Sequence, residues 1–558
     1  MGEGQNVDVL VLGAGAAGMT AALAAHARGL KVLLVESSNQ VGGTSSTSAG
    51  TLWLPCAAQD DAKGTCRDQA RAYLEASIGR GAEAAKIDAL LDSGPQLLRF
   101  LHSATRVRLS AVAAHPDYLQ SLPGATLGGR AFAPAEFDGR LLGPAFARIR
   151  PPLAEFMVLG GMMVSKADIP DLLNATREPR SFLRAARLVL RHAMDRLTRK
   201  RGTRLVMGNA LVAQLFATVL DKRIEIAFES TVTRVQRDGT GFSCVVGHAQ
   251  GERAVRIGKA LVLATGGFSG NAQMRERWLP APAIAHSVAH GGNSGGGIDL
   301  GMALGGAVED KHKSPAFWMP VSTMKRADGS VATFPHIMLD RAKPGLLAVN
   351  SAALRFANEA DSYHHLCEAM LDNARQTGSA QFYLIADAAF IKSYGIGMVR
   401  PGLKSLSKFV ASGYLTHATS PAGLAAQLGL DPGVLQGTLA RYNTSAASAV
   451  DLDFNRGESA LNRHNGDPLH TPNPCLRPLD TTALYAVRIH VADLGTSLGL
   501  STDADARVLD SAGTPVPGLY ACGNDMASMM RGAYPGPGTT LGPGMTFAWR
   551  AARHIASA

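Results

Sequence analysis

Six residues near the start of the chain have the types and spacing that bind a phosphate group. They form the pattern G-x-G-x-x-G, from Gly13 to Gly18, directly after an apolar run. Gly13 permits a tight turn, Gly15 lets the backbone approach a pyrophosphate, and Gly18 lets a helix pack closely on a strand. Glu36 lies at the distance along the chain at which a carboxylate holds ribose hydroxyls, and its charge repels a 2′-phosphate. The pattern predicts a dinucleotide site that disfavours NADP and leaves NAD or FAD open.

The fingerprint needs a strand, a helix and a second strand to position it, and the flanking sequence supplies all three. Residues 7–12 are apolar apart from Asp8, as in a largely buried parallel strand. Residues 21–27 are typical of a helix whose N-terminal end can face a phosphate, and residues 31–35 are typical of a second strand that ends at Glu36. This unit predicts an α/β fold with a Rossmann-like domain built on a parallel sheet.

Three further stretches of small residues indicate which dinucleotide is bound. They are residues 42–50, the sequence A-T-G-G at 264–267 after an apolar run, and the pair Gly523 and Asn524. These stretches resemble signatures of flavoproteins of the fumarate reductase type, and the resemblance implies that the cofactor is FAD. Because residues 44–50 include no histidine that could attach a flavin, the FAD is expected to be noncovalent.

The same resemblance implies which residues lie along the cofactor. Most belong to the fingerprint and the small-residue stretches, one belongs to a strand-like segment, and the last three belong to a loop near the C-terminus. The expected cofactor-binding residues are Gly13, Gly15, Ala16, Ala17, Gly18, Glu36, Ser37, Gly42, Gly43, Thr44, Ser45, Ala49, Gly50, Val232, Ala264, Thr265, Gly266, Gly523, Asn524, Gly538, Thr540 and Leu541.

Three tyrosines lie in motifs that resemble those of the 3-ketosteroid Δ1-dehydrogenases, a branch of the same flavoprotein group. Residues 355–363 are R-F-A-N-E-A-D-S-Y, residues 534–538 are Y-P-G-P-G, and residues 115–118 are H-P-D-Y. The resemblance covers nearly the whole chain. It implies that Tyr363 is the base, that Tyr534 and the Gly538 N–H hold the substrate's keto oxygen, and that Tyr118 assists.

The implied reaction has defined physical requirements. An α-proton must pass to a base, a β-hydride must pass to flavin N5, and the ketone oxygen must be polarised. Because the ordinary pKa of tyrosine is near 10, Tyr363 needs a neighbouring hydroxyl such as that of Tyr118 to act as a base. We expect Δ1-desaturation of a 3-ketosteroid or another cyclic ketone. Trp53, Phe317 and Met163 are expected to line its tunnel, and an external acceptor, with a quinone as the candidate, is expected to take the electrons.

Three other functions stay open on the sequence. A fumarate reductase-like enzyme would hold two carboxylates with arginines and histidines, for which Arg531, His290 and Arg355 are available. A ketosteroid Δ4-(5α)-dehydrogenase places its tyrosine and serine differently, and the Y-x-G-x-G spacing favours Δ1 chemistry. A flavin-binding protein without turnover would not need the tyrosine motifs. Pro535 and Pro537 depart from the small residues expected in the Δ1 enzymes.

The length of 558 residues is enough for two domains with substantial cores. We predict that residues 1–279 and 451–558 form the two parts of an FAD-binding domain. Residues 280–450 would form an inserted α+β catalytic domain. It opens with a glycine-rich run at 291–297, where the fumarate reductase group usually has an Asp-Gly pair and this chain has three glycines.

The chain is basic, with a formal net charge of +10, but no nucleic-acid motif accompanies that charge, and no nucleic-acid partner is expected. Much of the excess lies in the segment from Arg177 to Arg204, where arginines alternate with large apolar residues. This pattern indicates a basic amphipathic helix. Either it packs on the body of the protein with a solvated outer face, or it contacts an anionic membrane surface.

The six cysteines include no C-x-x-C pair, so neither a zinc site nor a redox disulfide is expected, and no metal is predicted. Reduced thiols in the cytoplasm are the simplest interpretation. Residues 1–8 lack the basic start of a signal peptide, and no apolar run is long enough to span a bilayer. A cytoplasmic enzyme is therefore expected, with membrane association open.

Overall fold

The computed structural model describes residues 5–57, 65–175, 178–239, 241–249, 251–337 and 340–558. Its first sheet has eight strands, and five of them run parallel in the spatial order Glu225–Ala227, Val32–Val35, Gln5–Leu12, Gly251–Leu263 and Pro515–Ala521. Three antiparallel strands complete it: Ser230–Asp238, Gly241–His248 and Arg507–Leu509. The first and last parts of the chain thus meet in one sheet, which is the predicted parallel arrangement.

Helices of small and apolar residues cover this sheet. Ala16–His26 packs against Leu541–Ser557 and Met207–Asp221. It begins five residues before the predicted helix, directly at the fingerprint. A Cβ atom on Gly18 would lie 1.9 Å from the Gly13 carbonyl oxygen, so only glycine permits this close approach of helix to turn.

The second sheet has six antiparallel strands. Five follow the spatial order Val331–Pro335, Ala316–Lys325, Leu484–Thr496, Phe382–Asp387 and Leu346–Asn350, and Thr416–Ala418 also pairs with Leu484–Thr496. The helix Tyr363–Thr377 packs on Ala316–Lys325. The predicted domain limits stay a prediction, but this sheet takes a central strand from beyond residue 450. Leu484–Thr496 pairs with three neighbours: Ala316–Lys325, Phe382–Asp387 and Thr416–Ala418.

Smaller elements connect and cover the two sheets. Short strands are Leu52–Trp53, Leu109–Ala111, Ala131–Pro134, Phe137–Asp138, Met157–Val158, Met162–Met163, Arg204–Leu205, Val308–Glu309 and Gly499–Leu500. The remaining α-helices are Gly43–Thr47, Thr65–Ile78, Ala84–Ala104, Ile169–Leu173, Pro179–Arg196, Ala272–Trp278, Gly296–Ala303, Ala388–Tyr394, Ser407–Ala411, Pro421–Leu428, Pro432–Ala447 and Ala460–Asn465. The 3₁₀ turns are Gly139–Arg148, Ala154–Phe156, Lys166–Asp168, Ala283–Ala285 and Gly523–Asp525.

One expectation about the cysteines is wrong. Cys56 and Cys66 form a disulfide, with their Cα atoms 5.7 Å apart, which lies within the range that a disulfide spans. The other four cysteines are free and buried. The spacing of ten residues belongs to no sequence motif, so only the folded chain shows that the two thiols meet.

The predicted basic segment forms the helix Pro179–Arg196, and Arg177 lies outside the described residues. Within the described part of the chain, no helix combines the length and apolar character needed to cross a membrane. No group of three metal-ligating side chains is found among the same residues.

Candidate active site

A cavity of about 470 Å³ receives side chains and backbone from both sheets. Leu12, Val35 and Ala264 line it at or just beyond the carboxyl ends of three parallel strands, and Met319 and Pro335 line it from the second sheet. Ligands of open parallel sheets bind at this edge. The sequence-predicted residues can therefore be placed relative to one cavity.

Every expected cofactor-binding residue except Gly18 lines the cavity, and so do all four expected catalytic residues. Gly18 instead makes the close helix packing described above. Gly15 precedes the helix Ala16–His26 without a side-chain cap, and a Cβ atom on it would have Ser45 Oγ, 3.9 Å away, as its nearest neighbour. A helix N-terminus that opens onto a cavity in this way fits a pyrophosphate, as FAD requires.

Polar side chains fix the loops around this helix start. The Glu36 carboxylate accepts hydrogen bonds from the Ala14 and Ser38 backbone N–H groups, both at 2.9 Å. Thr44 Oγ1 accepts from the His290 N–H at 2.9 Å and from Asn293 Nδ2 at 3.0 Å. Thr44 thus ties the first small-residue stretch to the glycine-rich run, although that run lacks the usual Asp-Gly pair.

Asp525 is a residue that supports the site and that the sequence analysis missed. Its carboxylate is fully buried and accepts hydrogen bonds from the Thr265 N–H at 2.5 Å, the Thr265 hydroxyl at 3.0 Å and the Gly267 N–H at 2.8 Å. Burial raises the pKa of Asp525 above its ordinary value. Asp525 joins the A-T-G-G loop to the C-terminal loop, and its position directly after Gly523 and Asn524 is the signal that could have identified it.

The three tyrosines converge although they are far apart in the sequence. The Tyr363 hydroxyl donates to the Tyr534 hydroxyl across 3.0 Å. The Tyr118 ring lies 5.8 Å from the Tyr363 ring, edge to face, and is stacked 5.9 Å from the Tyr534 ring. All three are buried. The fold therefore forms a cluster of three phenols at one wall of the cavity.

Burial sets the acid–base properties of the cluster. It raises the pKa of Tyr363 well above 10, and the neighbouring Tyr118 and Tyr534 add to that rise. Burial also raises the pKa of Tyr118 and of Tyr534, although hydrogen bonds to Tyr363 oppose both increases. All three side chains are neutral phenols at pH 7, so a base formed here must share its charge among its neighbours.

Tyr73 is a second residue that the sequence analysis missed. Its hydroxyl donates to the Pro535 carbonyl oxygen at 2.5 Å and accepts from the Leu119 N–H at 3.1 Å. The Tyr118 N–H donates to the same Pro535 carbonyl oxygen at 2.8 Å. Tyr73 therefore holds the loop that carries Tyr534 against the loop that carries Tyr118. No motif marks it, since it lies inside the helix Thr65–Ile78.

The loop 535–538 has no room for larger residues at its glycines. Gly538 has a φ of +89°, and a Cβ atom on it would lie 2.4 Å from the Thr51 carbonyl oxygen. A Cβ atom on Gly536 would lie 2.7 Å from Trp53 Nε1. Trp53 Nε1 donates to the buried Asp117 carboxylate at 3.1 Å, so the loop rests on a fixed indole ring. These contacts set where the Gly538 backbone lies.

The expectation that three apolar residues line a substrate tunnel is wrong. Trp53, Phe317 and Met163 are buried, but none of them lines the cavity. Phe317 packs edge-on against Tyr534 at 5.4 Å, so it supports the cluster from behind. Apolar residues in apolar stretches of sequence most often belong to the core, as these three do.

The arginines that a dicarboxylate enzyme would need do not line the cavity. Arg355 is buried in ion pairs with Glu359 at 2.9 Å and Asp451 at 2.8 Å, and Arg531 forms an ion pair with Glu309. His290 lines the cavity, but no arginine or lysine does so among the described residues. A pair of substrate carboxylates would find no cationic clamp in this wall.

Comparisons with known proteins show the family of this chain. Residues 8–541 match the family described as FAD binding domain. A 3-oxosteroid 1-dehydrogenase of Mycolicibacterium smegmatis is 34% identical over 99% of this chain and 98% of its own. A 4-oxocyclohex-2-ene-1-carboxylate 5-dehydrogenase of Sinomonas cyclohexanicum is 35% identical over 98% of this chain and 93% of its own.

A solved structure is similar over the whole chain. It is the 3-ketosteroid Δ1-dehydrogenase of Sterolibacterium denitrificans in complex with 1,4-androstadiene-3,17-dione. It has a TM-score of 0.90, 34% identity and coverage of 99% of this chain and 100% of its own. A 3-ketosteroid Δ4-(5α)-dehydrogenase of Rhodococcus jostii has a TM-score of 0.65 at 20% identity, which shows a common fold.

The fold and the cavity define an FAD-dependent oxidoreductase, and the expected α/β fold, FAD cofactor and enzyme class are confirmed. The chain belongs to the FAD-binding family and, within it, to the family of the 3-ketosteroid Δ1-dehydrogenases.

Proposed function

We propose that this enzyme desaturates a 3-ketosteroid next to its ketone, with Tyr363, Tyr534, Tyr118 and Gly538 as its catalytic residues. The observation that carries the proposal is the 3.0 Å contact between the Tyr363 and Tyr534 hydroxyls in the wall of the cavity. A bound FAD supplies the acceptor for the hydride that leaves the β-carbon. The chain itself must hold the ketone and receive the α-proton.

Tyr534 and the Gly538 N–H would hold the ketone oxygen. The Tyr534 ring is fixed on two sides, by Phe317 and by His364, whose ring is stacked 5.6 Å away. Because Gly538 is held in its positive-φ conformation against Thr51, its backbone position is also fixed. Donors that are fixed before the substrate binds stabilise developing enolate charge without reorganisation.

Tyr363 would take the α-proton. In the structure its hydroxyl donates to Tyr534, so a ketone oxygen that accepts from Tyr534 leaves Tyr363 adjacent to the carbon beside that ketone. Burial keeps Tyr363 protonated at neutral pH, and the neighbouring Tyr118 and Tyr534 raise its pKa further, so the proton must be lost at a cost that falls as the pH rises. We therefore expect kcat/KM to rise with pH through the neutral and alkaline range.

The test is an anaerobic single-turnover experiment with androst-4-ene-3,17-dione, followed by loss of the oxidised flavin absorbance. Tyr363→Phe should slow flavin reduction by a factor of about 10²–10⁴, the usual contribution of a positioned base. Tyr383→Phe is the matched control, because among the described residues the Tyr383 hydroxyl makes one long hydrogen bond, of 3.4 Å, to the Leu428 carbonyl oxygen. Unchanged flavin reduction in Tyr363→Phe would remove Tyr363 from the mechanism.

A monocyclic ketone is the second candidate substrate. The relative from Sinomonas cyclohexanicum, named for a cyclohexenone carboxylate, is as similar to this chain as the steroid enzymes are. Apolar side chains that could contact either kind of ring line the cavity, namely Leu153, Phe156, Met319 and Ile337. Comparing kcat/KM for androst-4-ene-3,17-dione and for cyclohex-2-en-1-one decides how many rings are needed.

The electron acceptor is proposed to be an external quinone. The mixing of anaerobically reduced enzyme with a soluble quinone should return the oxidised flavin spectrum. A quinone that reoxidises the enzyme no faster than fumarate does would overturn this assignment and favour the dicarboxylate activity.

We also propose that the helix Pro179–Arg196 contacts an anionic membrane surface. Its inner face is small or polar: Ser181, Ala185, His192 and Asp195 are buried, and Asp195 accepts from the Thr203 N–H and hydroxyl, both at 2.7 Å. Amphipathic helices of soluble proteins usually bury their large apolar side chains instead. The polar inner contacts therefore fix the helix with its apolar residues outward.

The outer face carries the large apolar side chains. Their exposed fractions are 57% for Phe182, 68% for Leu183, 63% for Leu190, 57% for Met194 and 84% for Leu197. Exposed Arg180, Arg187 and Lys200 accompany them. Apolar residues beside cations are what an interfacial helix presents to anionic lipid. This arrangement supports the membrane contact over a solvated face.

Vesicle co-sedimentation tests the membrane contact. The enzyme should bind phosphatidylcholine vesicles that contain phosphatidylglycerol, and Leu183→Glu with Leu190→Glu should weaken binding at least about tenfold. Leu469→Glu is the control, because Leu469 is 91% exposed and lies outside this helix in the chain. If the double variant sediments with vesicles as well as Leu469→Glu does, the lipid contact is contradicted. The same holds if the wild-type enzyme forms a dimer that the double variant does not form. A cytoplasmic location stays a prediction.

A further inference from the structure

The helix Tyr363–Thr377 contacts the tyrosine cluster through two successive residues. Tyr363, its first residue, places its hydroxyl 3.0 Å from that of Tyr534. His364, its second residue, is buried, and its ring is stacked on Tyr534 at 5.6 Å with 26° between the two planes. The first turn of one helix therefore sets both the position of the Tyr363 hydroxyl and a face on which the Tyr534 ring rests.

Both ring nitrogens of His364 meet a protein group. Its Nδ1 accepts from the Trp318 N–H at 3.0 Å, and its Nε2 lies 3.5 Å from Glu368 Oε1, one helical turn further on. Among the described residues no closer partner reaches this Nε2. A ring nitrogen that accepts from an N–H carries no proton, so the proton of the His364 ring is on Nε2 and faces Glu368.

Glu368 is a charged group on the outer side of this contact. Its side chain is 25% exposed, whereas that of His364 is 1% exposed. Burial opposes ionisation of this carboxyl group, but His364, His365 and Lys313 together lower its pKa to about 2. The second carboxylate oxygen lies 3.8 Å from His365 Nε2. Glu368 is therefore an anion at neutral pH, and it faces the Nε2–H of His364.

A further contact to the Tyr534 ring comes from the strand that also holds His364. Phe317 packs edge-on against Tyr534 at 5.4 Å, and the next residue, Trp318, donates its backbone N–H to His364. That bond fixes one point of the His364 ring. A second contact at the other end of the ring, here the one to Glu368, is needed to fix the plane on which Tyr534 is stacked.

We propose that Glu368 is a positioning residue that acts through His364 to hold the Tyr534 hydroxyl where it donates to the substrate's ketone oxygen. The inference rests on the proposed function, because the ketone must bind at Tyr534 for this orientation to matter. Neither Glu368 nor His364 lines the cavity, so neither contacts the ketone directly. A donor must lie within about 0.5 Å and 10–20° of its productive geometry, and supporting side chains provide that precision.

Two variants of Glu368 test this by single-turnover flavin reduction with androst-4-ene-3,17-dione. Glu368→Ala should lower the rate at saturating substrate about tenfold, with FAD content unchanged, because the ketone donor is displaced but still present. Glu368→Gln should restore most of that rate, since its amide oxygen can accept from the His364 Nε2–H at the same place. The partly exposed position makes both replacements compatible with folding.

The spectroscopic readout is the ¹³C resonance of androsta-1,4-diene-3,17-dione, labelled at its 3-carbonyl and bound to the oxidised enzyme. A hydrogen bond to the ketone withdraws electron density from this carbon, so the resonance should move downfield on binding to the wild type. In Glu368→Ala it should return part of the way toward its free position. Glu276→Ala, which removes an exposed carboxylate elsewhere, is the control and should leave the rate and the resonance unchanged.

A wild-type rate and a wild-type resonance in Glu368→Ala would overturn the inference. So would a slow Glu368→Ala enzyme with the wild-type resonance, because the loss would then not pass through Tyr534. In both cases flavin reduction in the wild type would still support the proposed dehydrogenation, and only the role of Glu368 would fail. If the ketone does not reduce the flavin of the wild-type enzyme, the proposed function fails, and the role of Glu368 fails with it.

Discussion

The nucleotide-binding edge and the tyrosine cluster line the same cavity but are built in different ways. The edge is made of backbone and small residues. Gly13, Gly15 and Gly18 contribute because they have no side chain. The cluster is made of three large side chains from Tyr118, Tyr363 and Tyr534, each in a different segment. The edge fails when a group is added, whereas the cluster fails when a hydroxyl is removed or displaced.

Adding one methyl group at the edge should have the largest effect. Gly18→Ala would place a Cβ atom 1.9 Å from the Gly13 carbonyl oxygen, so the helix Ala16–His26 must shift away from the turn. We expect purified Gly18→Ala to carry at least about tenfold less FAD, measured by the ratio of flavin to protein absorbance.

Gly437→Ala is the control for this prediction, because a Cβ atom on Gly437 would meet nothing within 4 Å. It should bind FAD as the wild type does. Full FAD content in Gly18→Ala would show that the edge tolerates added volume, and the contrast with the cluster would be lost.

Removing one hydroxyl behind the cluster should have an intermediate effect. Tyr73→Phe leaves the Leu119 N–H without its partner and removes one of the two donors to the Pro535 carbonyl oxygen, at a cost of about 1–3 kcal/mol. Since Tyr73 positions the loops that carry Tyr534 and Tyr118, kcat should fall about tenfold with little change in FAD content. The pH dependence of kcat should also shift. A fall in FAD content without these changes would make Tyr73 a part of the edge instead.

The smallest effect concerns stability in alkali. Burial raises the pKa of Tyr118 in the folded protein, whereas unfolded tyrosine titrates near 10. The folded state therefore retains a proton that the unfolded state loses, so stability is present below pH 10 and falls above it. The slope is about 1.4 kcal/mol per pH unit for each such tyrosine.

Urea unfolding between pH 9 and 11 measures that slope. Tyr118→Phe should reduce the slope by the contribution of one tyrosine. Tyr383→Phe is the comparison, because Tyr383 is as buried as Tyr118 but lies outside the cluster. An unchanged slope in Tyr118→Phe would mean that the unfolding reaction does not sense the cluster.

The local contrast between the two regions also explains what the sequence could predict. The fingerprint, its two strands and its helix are contiguous, and their dimensions follow from backbone geometry, so the parallel sheet and the FAD cofactor were predicted and are confirmed. The catalytic tyrosines were recognised because each lies in a short motif. Their assigned roles stay predictions.

Contacts between distant segments could not be predicted in this way. Tyr73 reaches Pro535, and Asp525 reaches Thr265, through hydrogen bonds that no spacing encodes. The expected tunnel was wrong because an apolar residue in sequence is equally suited to a core. The disulfide between Cys56 and Cys66 was missed for the same reason, since a pairing depends on where the chain returns.

The sequence by itself determined the nucleotide-binding unit, because a G-x-G-x-x-G turn between a strand and a helix carries its geometry in a few consecutive residues. It also indicated a basic amphipathic helix in the segment 177–204, and the structure has the helix Pro179–Arg196 there. Only the tertiary structure decided which face of that helix is outward, and that three phenols share one wall of the cavity. Those outcomes depend on side chains brought together by folding, where burial rather than residue type sets both exposure and pKa.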